Sequence, residues 1–376
     1  MEVLSIAGVF QSLFFAVFLL SKQENKKANI LLGIWLLFLA LFFVEMWINS
    51  SATYLAHPNL IGAFSGVTFL FGPFLLLYTL FLANHQRQWR VIDVLHFLPF
   101  LLYYGYYFLS FFPLEETVKL NAMAQIIKGE IPLNIFVISF IKAIHGIAYS
   151  GFTLLFLGRY KSAIQDNFSN TAKINLQWLT KLSYGFLAIY TLAFIVQITS
   201  LFGQYIGEGP IGLLSVLLIF MVAFLGLRQG ALFNEANSGS EQEEHVLKVK
   251  YLHSRMDERD IDQLKNRLIK VFESEKPYLD PEFRLSELAL KMNIHANELS
   301  QVINEGFGQN FYTLVNSYRI EEVKRNIQDQ QNNNLTLLAI GLQSGFNSKT
   351  TFNTVFKKMT GLTPSQFKKQ VDSLTA

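Results

Sequence analysis

LTLLAIGLQSGFNSKTTFNTVFKKMTGLTP, residues 335–364, is the stretch whose reading decides the rest. Leu337, Ile340 and Gly341 fall at helical spacing, and Gly345-Phe346 makes a turn whose first residue needs a left-handed backbone. Ser348 is placed to cap a second helix, with Phe352, Val355, Phe356 and Met359 on its buried side. The opposite side carries Lys349, Thr350, Asn353, Thr354, Lys357 and Lys358, all cations or short hydrogen-bonding groups. Two short helices about a glycine turn, the second one polar and basic, fit a helix-turn-helix that lays that helix in the major groove of DNA. They fit an ordinary surface αα-hairpin equally well, and this stretch alone does not choose.

The residues just upstream do choose. Leu285, Leu288, Ala289 and Met292 form one helical stripe, with Asn293 in the turn after it. Leu299, Val302 and Ile303 are the buried side of a second helix starting near His295, with Asn297, Glu298, Ser300, Gln301 and Asn304 outward. Gly306 and Gly308 end that helix. Asn310 then caps a long one through Phe311, Leu314, Val315, Tyr318, Ile320 and Val323, and QDQQNNN loops into the opening stretch. The unit therefore occurs twice: Ala289 and Gly341, like Ile294 and Phe346, stand 52 positions apart, and Phe307-Gly308 is answered by Thr360-Gly361. A repeat of this kind is hard to obtain by accident and favours DNA.

On PYLDPEFRLSELALKMNI, LSQVINEGFGQNF, NSYRIEEVKR and above all GFNSKTTFNTVFKKMTGLTPSQFKK, residues 278–370 resemble the tandem helix-turn-helix domain of AraC/XylS-type transcription regulators. The resemblance covers about a quarter of the chain. It implies two recognition helices, joined by a long helix, that enter successive major-groove segments on one face of the duplex. Carried over by position, the base-edge candidates are Asn297, Ser300 and Gln301 in the first recognition helix and Lys349, Thr350, Asn353 and Thr354 in the second. Amides bond adenine edges, lysine bonds guanine and threonine methyls touch thymine, so the chemistry agrees. Ser348, Lys357 and Lys358 suit phosphates. Departures from the family pattern are His295 and Arg284 at usual capping hydroxyls, Gln301 and Thr354 at frequent arginines, and Gly341 at a usual alanine. With Glu298 added, they leave the first helix a weaker reader or a structural piece only.

The first two thirds differ in kind. Of the whole chain 51% is hydrophobic and only 16% charged, ordinary values for a protein partly in lipid. Seven apolar stretches of span length follow one another, at about 3–20, 28–48, 60–83, 91–112, 133–157, 177–202 and 210–233. Packing so many in water would need a very large core. The chain opens Met-Glu-Val without a basic region, so the first stretch reads as a retained span and not a signal peptide. Lys22, Lys26 and Lys27 follow the first span, Arg87 and Arg90 the third, and Arg159, Lys161 and Lys173 the fifth; the alternate connections hold only Lys119 and Lys128, near Glu115, Glu116 and Glu130. That bias puts the N-terminus outside and the tail in the cytoplasm of a bacterial inner membrane.

Polar groups inside spans are expensive and hence suggestive. Ser139, Lys142, His145, Tyr149 and Thr153 form one helix stripe; Glu45 is placed to pair with Lys142; Asp93, His96 and Tyr103, Tyr104, Tyr106 and Tyr107 mark the fourth span. Glu45, Lys142, His145 and Tyr149 are the candidates for an intramembrane sensing site, against the alternative of an ion pair and tyrosines that only hold helices together. Gly72-Pro73 and Pro99 are expected to kink their spans. No cysteine is present, and HExxH, GxSxG, paired carboxylates at helical spacing and Gly-rich phosphate loops are all missing. No catalytic residue, metal or cofactor is therefore expected.

The expected fold is all-α: a seven-helix transmembrane bundle (1–233), a linker and juxtamembrane helix (234–275), and a cytoplasmic domain of two helix-turn-helix units joined by a long helix (276–376). The linker NEANSGSEQEEH, 234–245, is a flexible tether, and the helix begun by Asp257 packs either on the terminal domain or on its twin in a dimer. The expected partners are double-stranded DNA, the bilayer, a small-molecule ligand and a second copy of the chain. The competing expectation is a transporter-like or sensory membrane protein whose tail is only a regulatory or partner-binding appendage.

Overall fold

The computed structural model describes residues 1–21, 26–84, 86–172, 174–202, 211–218, 221 and 256–375. Among the described residues every named element is helical, and the β-pairing is confined to an isolated antiparallel bridge between Phe168 and Arg284. The chain divides into two compact units: Met1–Gly158 with Leu176–Gly239, and Arg159–Asn175 with Ser240–Ala376.

The first unit contains α1 (Glu2–Ser21), α2 (Lys26–Ser50), α3 (Thr68–Ala83), α4 (Val91–Leu95), α5 (Leu98–Tyr106), α6 (Glu116–Ile127), most of α7 (Leu133–Asn167) and α8 (Gln177–Ser200). Six stretches among the described residues are long and apolar enough to cross a membrane, one of them the run Val91–Phe111 built from α4, α5 and a π-turn. Residues 211–218 are helical, and most of the remaining 210–233 stretch lies outside the described residues, as does the 234–245 linker. Pro73 sits inside α3, whereas Pro99 lies in the first turn of α5. There its missing N–H costs nothing, so Pro99 begins a helix rather than kinking one.

α2 and α3 bury large apolar side chains, among them Trp35, Phe43, Phe71 and Phe74, whereas the buried side of α1 is mostly small. α1 turns Ser5, Gly8, Ser12, Ala16 and Leu19 inward and leaves Val3, Phe10, Phe14 and Val17 exposed. Small residues inside let helix backbones approach closely, as α1 does along α2. Aromatic hydroxyls tie down the turns between α2 and α3: Tyr103 donates to the Gly62 carbonyl (3.3 Å), Tyr104 to Ala63 (2.8 Å) and Tyr107 to Ile61 (3.1 Å). Lys119 is buried and spends its charge on Asn59 Oδ1 and the Phe112 carbonyl, both at 2.7 Å.

The second unit holds α9 (Glu258–Glu275), α10 (Leu285–Lys291), α11 (Ala296–Phe307), α12 (Phe311–Gln328), α13 (Leu337–Gln343), α14 (Lys349–Thr360) and α15 (Pro364–Thr375). Two apolar cores lie along α12. Phe311, Leu314 and Val315 pack with α9, α10 and α11; Ile320, Val323 and Ile327 pack with α13, α14 and α15. The sequence left two partners open for α9, and the structure packs it on the first helix-turn-helix through Leu268 and Phe272, with the Phe272 ring tilted against Tyr318 at 4.7 Å.

Each helix-turn-helix turns on the same device. Phe346 N donates to the Gly341 carbonyl and Gly345 N to Leu342; Ile294 N donates to Ala289 and Asn293 N to Leu290. These are two Schellman closures, with the left-handed position filled by Gly345 (φ 93°) and, 52 residues earlier, by Asn293 (φ 49°). The second turn is the more demanding. A Cβ on Gly345 would come within 2.3 Å of the Tyr278 carbonyl and 2.9 Å of Arg319 Nε. Gly361, which ends α14 at φ 79°, has nothing within 4 Å. Gly345→Ala is therefore expected to destabilise the second unit by about 2–4 kcal/mol, and Gly361→Ala by only about 1 kcal/mol. Urea-dependent proteolysis of the full chain in micelles measures both, and equal losses would show that crowding adds nothing to backbone strain.

Candidate nucleic-acid interface and polar cluster

α14 begins at Ser348, whose Oγ accepts from Thr351 N at 3.2 Å. Phe352, Val355 and Phe356 anchor its inner side, with Phe356 edge-on to Phe367 of α15 at 5.6 Å. That packing leaves Lys349, Thr350, Asn353, Thr354, Lys357 and Lys358 exposed on the outer side. The three lysines have no acidic neighbour on the helix, and Asp372 is the nearest acid further along the chain. Asn353, Thr354, Lys357 and Lys358 also line a cleft with Thr363, Pro364 and Ser365. The last three open α15, where Gln366 Oε1 accepts from Thr363 N (2.8 Å) and Thr363 Oγ1 accepts from Gln366 N (3.3 Å). Thr363 and Ser365 were missed in the sequence reading, although Thr-Pro-Ser-Gln carries the capping-box signal that finds them.

α11 has the same buried pattern and a different surface. Leu299, Val302 and Ile303 are buried where α14 has Phe352, Val355 and Phe356. The offset here is 53 and not 52, because Asn347 is an extra residue in the second turn. Asn297, Ser300 and Gln301 thus answer Thr350, Asn353 and Thr354. Asn297 is exposed; Ser300 accepts from Asn304 Nδ2 (3.3 Å) and Gln301 Nε2 donates to Glu305 (3.1 Å). His295 and Arg284 do stand at the N-cap positions, and neither side chain does the capping. Instead Glu298 Oε2 accepts from His295 N (3.0 Å), and Glu287 Oε2 from Arg284 N (3.2 Å). Glu298 therefore has a structural duty at the positive end of α11.

Between the two turns lies a residue that the sequence reading passed over. Arg319 of α12 is buried, and all five of its N–H groups are satisfied by neutral oxygens. Nε donates to the Tyr278 carbonyl (2.7 Å); Nη2 to the Asp280 carbonyl (2.6 Å) and Ser169 Oγ (3.1 Å); Nη1 to the Ser169 carbonyl (3.3 Å) and Asn316 Oδ1 (3.4 Å). Its charge also faces the Phe346 ring at 5.9 Å. Burial lowers its pKa to about 10, so it stays cationic at neutral pH. A signal was available: Phe311, Val315, Arg319, Val323 and Ile327 recur every four residues, which puts the arginine on the buried stripe.

In the first unit, the four intramembrane candidates come near one set of turns and helices. Glu45 Oε2 accepts from Phe64 N (3.0 Å), and Lys142 Nζ donates to the carbonyl and hydroxyl of Ser65 (2.9 and 2.7 Å). Glu45 and Lys142 thus grip adjacent residues of the same 3₁₀ turn. Lys142 also lies 4.7 Å from the Tyr103 ring centre. His96 Nδ1 and Tyr149 Oη are 2.7 Å apart. The His145 ring stands edge-on to Phe69 at 5.4 Å, and its buried nitrogens find no hydrogen-bond partner among the described residues. Asp93 is held apart from this cluster by Arg87, in a bidentate pair of 2.7 and 2.8 Å. Groups of histidine and carboxylate able to hold a metal ion are absent among the described residues.

Residues 288–370 match a family model described as a helix-turn-helix domain, of the AraC type. That match supports an AraC-type DNA-binding domain and, with it, a transcription regulator that binds double-stranded DNA. No curated protein matches the chain. A solved structure titled as a protein of unknown function from Listeria innocua is similar at 26% identity, over 28% of this chain and 94% of its own, with a TM-score of 0.25.

The exposed lysines of α14 differ in what they can do. Lys349 lies in its first turn with Thr350 and Asn353, the position expected to reach base edges, and Lys357 lines the α15 cleft, the position expected to reach phosphate. Lys349→Ala should cost about 1–3 kcal/mol on the preferred sequence and relax one position, whereas Lys357→Ala should weaken all sequences alike and reduce the salt slope by about one. Binding of the full chain in micelles to selected and random duplexes at two salt concentrations separates them. Uniform loss from both variants would count against base reading by Lys349.

Proposed function

We propose that this chain is a membrane-embedded, sequence-specific transcription regulator of the bacterial inner membrane. Its N-terminus is outside and its DNA-binding unit cytoplasmic. The observation that carries the reading is the exposed polar face of α14, three lysines and no acid, within an AraC-type helix-turn-helix domain. The groove-reading set is Asn297, Ser300, Gln301, Lys349, Thr350, Asn353 and Thr354, with Ser348, Lys357 and Lys358 on phosphates.

Membrane embedding is supported by three independent features. Six described stretches have the length and composition of spans. α1 exposes aromatic and aliphatic side chains while burying serines and a glycine. The basic connections alternate with poor ones along the sequence. An odd number of crossings, counting the stretch 210–233, delivers the tail to the compartment that holds the chromosome.

Within the bundle, Glu45, Lys142, His145 and Tyr149 form the site that senses a small ligand or a membrane signal. The ligand's binding energy must differ between two arrangements of the bundle, since equal affinity shifts nothing. In our reading those arrangements change the spacing of two DNA-binding units across a homodimer. Lys142→Met, which keeps the stem and removes the charge, should change transcription from a reporter operator by about fivefold or more at unchanged protein level. An unchanged response would leave the bundle an inert anchor. A reporter enzyme fused after Ala376 and active only outside the cytoplasm would overturn the topology itself.

A further inference from the structure

We infer that the loop joining α7 to α8 is a working part of the DNA-binding unit, and that this loop carries the bundle's state to the first helix-turn-helix. Residues Arg159–Asn175 belong to the same compact unit as Ser240–Ala376, although more than sixty residues of chain separate them. The juncture is Ser169, which is 1% exposed. Its N–H and Oγ–H both donate to the Phe283 carbonyl, at 3.2 and 2.6 Å. Its carbonyl accepts from Asn316 Nδ2 (3.2 Å) and Arg319 Nη1 (3.3 Å), and its Oγ accepts from Arg319 Nη2 (3.1 Å). On one side Phe168 forms the antiparallel bridge with Arg284, whose guanidinium lies 5.5 Å from the Phe168 ring centre. On the other, Asn170 reaches Glu282 at 3.4 Å.

This is not the pattern of a loop resting on a surface. A surface contact leaves each side able to return to water. Here two of the five hydrogen bonds of a buried guanidinium come from Ser169, and Asn316, itself fully buried, gives it another. Withdrawing the loop would orphan those donors in the interior, where an unmet charged group is far more costly than an unmade surface bond. The cage around Arg319 is thus completed by a residue 150 positions earlier in the sequence.

The position of the juncture gives it a consequence. Phe283 and Arg284 immediately precede α10, and Arg284 is its N-cap residue. Arg319 reaches the other way, to the Tyr278 carbonyl against which the Gly345 turn is packed. Peptide bonds join the loop to the helical stretches of the first unit at both its ends. A displacement of those ends therefore acts directly on the start of α10 in the first helix-turn-helix, and only through Arg319 on the turn before α14.

The chain has no cysteine, so a disulfide can be introduced without background. Facing residues of an antiparallel bridge have the Cα separation that a disulfide spans. In the full chain in lipid nanodiscs, Phe168→Cys/Arg284→Cys is expected to oxidise about tenfold faster or more than the control Phe168→Cys/Asn353→Cys. Oxidation no faster than the control overturns the contact. Ser169→Val should lower the urea midpoint of the second unit while Asn170→Ala leaves it unchanged, and equal midpoints overturn the role of Ser169. Coupling rests on the DNA-binding reading and has its own measurement. Affinity of the Phe168/Arg284 double-cysteine protein for a duplex should change about fivefold or more on oxidation and return on reduction. A cross-linked protein with unchanged affinity overturns the coupling. Failure of every form to bind any duplex overturns the DNA-binding reading and the coupling with it, while cross-linking rate and urea midpoint still decide whether the loop belongs to the unit.

Discussion

A guanidinium buried without a carboxylate beside it governs the geometry of the second unit. Arg319 cannot give up its proton at any physiological pH and cannot reach water, so each of its five donors has to find an oxygen. The oxygens are drawn from the Pro277–Leu279 turn and its neighbour Asp280, from Asn316 one turn earlier on α12, and from Ser169. Because a planar fork accepts acceptors only along fixed directions, these segments are positioned relative to one another and not merely gathered. The same guanidinium fills the space that a Cβ on Gly345 would need. One side chain in the middle of α12 therefore fixes the approach to α10 and the turn before α14. Hydrophobic burial supplies most of the stability on either side, through two separate cores. It does not specify the angle between them, and a directional polar network does.

Most of this unit was legible in the sequence because local signals and packing agree. Left-handed positions, caps and apolar spacing all located the helices, and Asn310 caps α12 through Thr313 N as its position implied. What was not legible is of two kinds. Arg319 was hidden because an arginine on a helix is ordinarily solvated, and only its place on the every-fourth-residue stripe tells otherwise. Ser169 could not be found by any local rule, since nothing in NFSN distinguishes a loop serine that meets a buried arginine from one that meets water. The change in offset between the repeats, from 52 to 53, was already present in the pairing of Phe307-Gly308 with Thr360-Gly361, and the placed helices locate it at Asn347.

The first unit illustrates the converse. Its apolar runs locate helices well but say little about which side faces inward, since nearly every position is apolar. Here the minority residues are informative: Ser5, Ser12, Thr79, Ser150 and Thr153 are all buried, whereas leucines and phenylalanines are found both inside and outside. The tyrosines of the fourth apolar stretch mark it in the sequence without assigning it a partner. Three of them donate to backbone carbonyls of the 59–63 turns, the helix-holding role that stood as the alternative. Glu45 and Lys142 meet on the turn at Phe64 and Ser65, and the His145 nitrogens, like Trp35 Nε1 and Ser150 Oγ, are buried without a hydrogen-bond partner among the described residues.

The two recognition helices share a core pattern and differ in charge, and that difference has a physical consequence for the reading proposed above. Non-specific attraction to a duplex scales with the number of phosphates neutralised, and only the second helix brings cations to that task. Glu298 and Glu305 of α11 would each face a polyanion. Yet Glu298 holds the first turn of its helix and Glu305 holds Gln301, so neither can be exchanged for lysine without cost to the helix itself. On that reading the first helix-turn-helix is constrained to contribute selectivity or support more than affinity. It is also the unit against which α9 and the Ser169 loop are packed. On the reading proposed above, a weakly attracted module held by a network that reaches beyond it is the half of the domain whose alignment with the groove is the easier to alter.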